Sequence, residues 1–142
     1  MNAERRVAYH FAVLRVVPHV HLGEFVNVGV ILHARTIDFL GMEVVTDAPT
    51  LTRMVSDVDV DLLSRYLKRH EAICRGELGA RPIALLPPSE RFHWLCAPRS
   101  DLLQCSAIHE GLEVDPRRTL QELFAGLVRR PAMPPAPETD LA

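Results

Sequence analysis

Cysteine is scarce in this chain, and Cys74, Cys96 and Cys105 are an odd number with no C-x-x-C spacing. That excludes a disulfide framework and a zinc knuckle, and leaves buried thiols of the kind a reducing cytoplasm maintains. Long apolar runs are also missing. The first strand-like stretch is interrupted by Arg15 and Pro18, so the N-terminus reads as neither signal peptide nor membrane-spanning helix. Charge of one sign is lacking too: 16 basic residues meet 18 acidic ones for a net charge of −2. This removes the electrostatic footprint of a protein that wraps nucleic acid or coats an anionic membrane. Only Lys68 among the basic residues is lysine, a bias that genomic base composition explains more readily than function and that carries no functional weight. Every well-specified catalytic signature is absent as well: no G-x-S-x-G elbow, P-loop, G-x-G-x-x-G or H-E-x-x-H. The chain is read as cytoplasmic, with no cofactor and no membrane partner.

What remains is an ordinary globular mixture, 48% hydrophobic and 24% charged over 142 residues, enough for one core. Residues 1–8 read as an N-terminal extension and 9–130 as a single domain. Residues 131–142, with four prolines and little to bury, read as a disordered tail. Tyr9 to Val17 is apolar at odd and even positions, the pattern of a central strand covered on both faces. Pro18 ends it, and Phe25 to His33 follows as its antiparallel partner. Phe39 to Val45 continues the meander, with Gly41 marking a bulge. Leu62, Leu63, Tyr66, Leu67 and Ile73 then fall on a helical stripe that starts near Asp59 and ends before Gly76. A short strand is expected around Ile83 to Leu86. Arg91 to Ala97 and Leu102 to Ser106 read as a second hairpin turned at Pro98 to Asp101. Asp115-Pro116 opens a last helix carrying Leu120, Leu123, Phe124 and Leu127. The fold class is therefore α+β: an antiparallel sheet of about five strands in two hairpin-containing blocks, with two helices on one face.

Two constellations place polar groups where a plain strand would not. The first is Arg15, Pro18, Glu24, Asn27 and Gly29. An arginine on a central strand needs a carboxylate, and Glu24 is the nearest, so an Arg15–Glu24 pair pinning the hairpin stands beside a ligand or partner contact. Gly29 marks a bulge or a close backbone approach. The second is His93, Trp94, Arg99, Ser100, Gln104, Ser106 and His109. Here Trp94 reads as core, while Arg99-Ser100 offers a donor fork and a hydroxyl suited to phosphate or carboxylate, or simply a solvated turn. His19 and His21 supply only two imidazoles, short of the three or four ligands zinc requires, and no metal site is assigned.

Tyr9-His-Phe-Ala-Val-Leu-Arg15-Val-Val-Pro18, Gly23-Glu24-Phe-Val-Asn27-Val-Gly29-Val-Ile-Leu32 and Arg91-Phe-His93-Trp94-Leu-Cys-Ala97-Pro98-Arg99-Ser100 together resemble the bacterial domain-of-unknown-function family 3037. The resemblance runs from about Tyr9 to about Leu127. It carries the motif positions Arg15, Pro18, Glu24, Asn27, Gly29, Arg99 and Ser100 without roles; His19 and His21 depart from it. Genes of this family often adjoin one for a kinase similar to HipA, a toxin-type serine/threonine kinase, so the resemblance implies a protein partner.

Three functions are open to such a chain. The favoured one is a small non-catalytic binding or regulatory module, with Arg15, Glu24, Asn27, His93, Arg99, Ser100 and His109 as candidate contacts. The second is a hydrolase or phosphate-processing enzyme in which Arg99 holds an anion and His93 or His109 moves protons, which requires Arg15, Arg99 and a histidine to converge. The third is single-strand nucleic-acid binding on Phe11, Phe25 and Trp94, disfavoured by their apolar neighbours.

Overall fold

The computed structural model describes residues 5–19, 22–97 and 102–129. A meander opens the chain: β1 (Val7–Val16), β2 (Val26–Ala34) and β3 (Phe39–Val44). Then come α1 (Ala48–Met54), α2 (Val60–Arg75), α3 (Pro88–Cys96), β4 (Leu103–Cys105), β5 (His109–Glu113) and α4 (Pro116–Leu127). All pairings are antiparallel, in the order β3-β2-β1, with β4 and β5 both on the far side of β1. β4 pairs with Leu14–Val16 and β5 with Val7–Phe11. The five-stranded antiparallel α+β sheet expected from the sequence is thus present, with β1 at its centre.

The two anticipated helices are α2 and α4, and their ends follow local chemistry. Asp59 accepts a hydrogen bond from the Leu62 amide, and Gly76 closes α2 at φ 74°, where only glycine is unstrained. Asp115 accepts from the amides of Arg117 and Arg118 and is followed by Pro116 at the first helical position. α2 and α4 share one core through Leu63, Leu67, Leu120 and Phe124. Leu120 of α4 packs onto Gly41, whose register partner is Leu32, whereas Phe92 of α3 stacks on His33 at 5.4 Å between centroids. Leu32 and His33 are adjacent on a strand and point oppositely, so α4 covers one face and α3 the other. The C-terminal part of α2 lies with α3, since Ile73 and Cys74 share a core with Ala12, Ile31, Phe92 and Leu95.

Three sequence readings change. Arg91 to Ala97 is helix, not strand, so the second hairpin does not form; Phe92 and Leu95, at i and i+3, are the buried pair. Pro87-Pro88 starts this helix, and Arg91 secures it by donating to the carbonyls of Leu86 (2.6 Å) and Cys74 (3.4 Å). Ile83 to Leu85 is a 3-10 turn. The β2–β3 register runs unbroken through Gly41, which is no bulge: a Cβ there would lie 2.5 Å from the Phe39 ring that folds over it. The bulge is in β2 instead, where Leu14 faces Gly29 but Arg15 faces Asn27, leaving Val28 as the extra residue. α1 and β5 were not anticipated. Pro98 to Asp101 and residues 131–142, the sites of the expected turn and tail, lie outside the described residues.

Candidate functional site

The bulge determines the first candidate site. Skipping Val28 puts Arg15 and Asn27 side by side, with Gln104 of β4 opposite Arg15 on its other flank. Side chains alternate along β1, so Arg15 stands on the α4 face, and Asn27 Nδ2 donates there to the carbonyl of Leu127 at 3.2 Å. The expected Arg15–Glu24 pair is not formed: among the described residues no ion pair within 4.0 Å joins them, and Glu24 is exposed. Arg15 instead lies over the Phe25 ring, its guanidinium carbon 4.1 Å from the centroid. A cation above an aromatic face is held by the ring quadrupole without the directional partner a carboxylate would supply. Two buried polar atoms are consequently left without hydrogen bonds, Arg15 Nε and Asn27 Oδ1. A donor and an acceptor on register neighbours, beside a ring that is 49% exposed, form a compact recognition element.

The histidines of the second constellation separate. His109 pairs with Phe11 in β5 and stacks on that ring at 5.1 Å, on the α4 face. His93 projects from α3 on the opposite face, its Nδ1 hydrogen-bonded to the Ser89 carbonyl at 2.8 Å. Neither His93 nor His109 is therefore within reach of Arg15: His93 is across the sheet, and His109 is opposite a residue four positions away, roughly 13 Å along the strand. Ser106 is occupied structurally, accepting from the Val13 amide and donating to the Ala107 carbonyl. Arg99, Ser100 and His21 lie outside the described residues, and His19 meets Asp57 at 3.3 Å. Phe11 and Trp94 belong to opposite faces, so the three rings considered for nucleic acid line no common surface. No group of three or more His, Cys, Asp or Glu among the described residues is arranged to hold a metal ion.

Cys96 and Cys105, distant in sequence reading, meet where α3 abuts β4. The Cys96 thiol hydrogen-bonds Cys105, which pushes Cys96 up and Cys105 down, with Arg15 adding to the lowering of Cys105. Burial, against the opposing pull of Arg91 and Arg75 and with Glu71 adding to it, pushes Cys74 up to about 12. A thiol alkylates through its thiolate, so iodoacetamide at about pH 8 is expected to label Cys105 before Cys96 and Cys74. Peptide mapping by mass spectrometry reads the order, and Cys74 reacting first would contradict it.

No sequence signal had singled out His10, His33 or Arg35. They gather with Ser89, Phe92 and His93 around a cleft of about 200 Å³ on the α3 face. The hairpin register brings His10 opposite His33, and a bulge and an irregular loop hide that register from the sequence.

No curated protein and no solved structure matches the chain. A family model described as "Protein of unknown function (DUF3037)" does match, over residues 11–128. Those limits span the sheet except the first four residues of β1, both charged constellations and α4, so the chain belongs to the DUF3037 family.

Proposed function

We propose that this protein is a non-catalytic binding and regulatory module that docks a protein partner through the face built by Arg15, Phe25 and Asn27. The observation that carries this reading is the Arg15–Phe25 stack with Arg15 Nε and Asn27 Oδ1 buried and unpaired beside it. Aromatic and arginine anchors are what interface centres use, and the half-exposed Phe25 ring is the part of this element that a partner would cover. The partner to test first is a HipA-like kinase, the partner that the family resemblance implies.

Co-expression with the kinase, followed by size-exclusion chromatography and a phosphorylation assay, is the test. The wild type should co-elute with the kinase and alter its activity. Phe25→Ala and Arg15→Ala should each weaken the complex roughly 30-fold or more, the size of an interface anchor worth about 2 kcal/mol. Phe25→Ala should keep its melting temperature, since that ring is half exposed. Absence of a complex together with unchanged kinase activity removes this reading.

A further inference from the structure

We propose that the cleft between β1, the end of β2 and the first turns of α3 is a binding site for a phosphate group. It lies across the sheet from the docking face and does not depend on it. His33 forms its floor: the residue is 5% exposed, and among the described residues nothing hydrogen-bonds its ring nitrogens. A buried imidazole facing an open cleft with both nitrogens uncommitted is a hydrogen-bonding group awaiting a partner.

The walls share one sign. His10 stands opposite His33 across the hairpin, His93 comes from α3, and Arg35 follows β2. Arg35 makes no ion pair among the described residues, and its exposed guanidinium can swing over the cleft mouth. Ser89 adds a hydroxyl in the first turn of α3, whose start carries no side-chain cap. The nearby carboxylates are Asp38, beyond Arg35, Glu110, the cross-strand neighbour of His10, and Glu90, next to Ser89 in α3; none pairs within 4.0 Å with Arg35 or the three histidines. The cost of this arrangement registers on His33, which is held below its ordinary pKa by burial first and then by His10, His93 and Arg35, against the opposing pull of Asp38. An anion in the cleft would oppose the lowering by His10, His93 and Arg35 with an attraction of its own.

The ligand class follows from donor chemistry and size. Histidines, one arginine fork and a hydroxyl surround the space from several directions, which suits a tetrahedral dianion better than a planar carboxylate. At about 200 Å³ the cleft is smaller than the 300–1,000 Å³ of pockets that enclose whole drug-sized ligands, so it takes a phosphate and a few attached atoms.

The test is titration of the full chain with inorganic phosphate at constant ionic strength, following the histidine ring resonances by NMR. Saturable shifts at His10, His33 and His93 are expected, with the His33 titration midpoint rising by about one pH unit, a tenfold preference for the charged ring. Arg35→Gln, at an exposed position, should weaken binding about tenfold, and His93→Gln should weaken it as well, both with unchanged melting temperature. Glycerol phosphate separates the sources: tighter binding than inorganic phosphate identifies an ester, equal binding the free ion. Shifts no larger than chloride produces, shifts unaltered by Arg35→Gln, or acetate acting as well as phosphate would each overturn the proposal.

Discussion

Replacing Phe92 with alanine is expected to destabilise the protein by about 3–5 kcal/mol, the cost of emptying a buried aromatic site. Phe92 is 2% exposed, stacks on His33 and meets His93 edge-on at 5.7 Å. It is the side chain through which α3 is seated on β2. Against the 5–15 kcal/mol of a typical domain this is a large share, and chemical denaturation would read it as a fall in midpoint at constant slope. A companion series makes the result diagnostic. In the helix, Leu95 is the second buried residue, so Leu95→Ala should cost about 2–5 kcal/mol, while the exposed His93→Ala should stay within about 0.5 kcal/mol. A strand would bury Trp94 with Phe92 instead, and a Leu95→Ala variant as stable as wild type would contradict the helix.

Gly29→Ala is expected to cost about 1–3 kcal/mol, although alanine is among the least demanding of residues. A Cβ at this position would stand 2.8 Å from Val44 Cγ2, 3.0 Å from Val44 Cβ and 3.1 Å from the Glu43 carbonyl oxygen. Neither a β-branched side chain nor ladder backbone can give way cheaply, so β3 must move off β2 or the bulge must relax. Relaxing the bulge separates Arg15 from Asn27, so partner binding should weaken together with stability. Gly126→Ala is the control: nothing lies within 4 Å of a Cβ there, and the helix should gain up to about 1 kcal/mol. If Gly29→Ala denatures with wild-type midpoint and slope, the close approach of β2 and β3 is not tight.

Much of the fold was legible because its signals are local. β1 to β3 are apolar runs bounded by proline and glycine, and α2 and α4 have helical stripes opened by Asp59 and Asp115. The second block was misread where the signal is ambiguous. Phe92 to Cys96 is five residues of apolar and aromatic character, which suits either a strand or one buried turn of helix. The packing of Phe92 and Leu95 together against the sheet decides for the helix, which opens at Pro87-Pro88. β5 carried no signal of its own: its residues are mostly exposed, and backbone pairing with β1 is what makes them a strand. For the candidate site, residue types were readable and neighbours were not. Arg15, Asn27 and His93 stood out as polar groups in apolar runs, yet the carboxylate expected beside Arg15 is an aromatic ring, and the two histidines expected to cooperate face opposite ways.

By itself the amino-acid order determined the α+β class, the opening meander, the capped ends of α2 and α4 and the family, since each rests on contacts a few residues apart or on motifs read directly. Tertiary structure alone decided the helix at Phe92, the pairing of Arg15 with Asn27, the meeting of Cys96 with Cys105 and the gathering of His10, His33, Arg35 and His93. Each of these depends on strand register and on which sheet face a helix covers. A one-residue slip reverses both, and the energy that prevents the slip is distributed over the whole core.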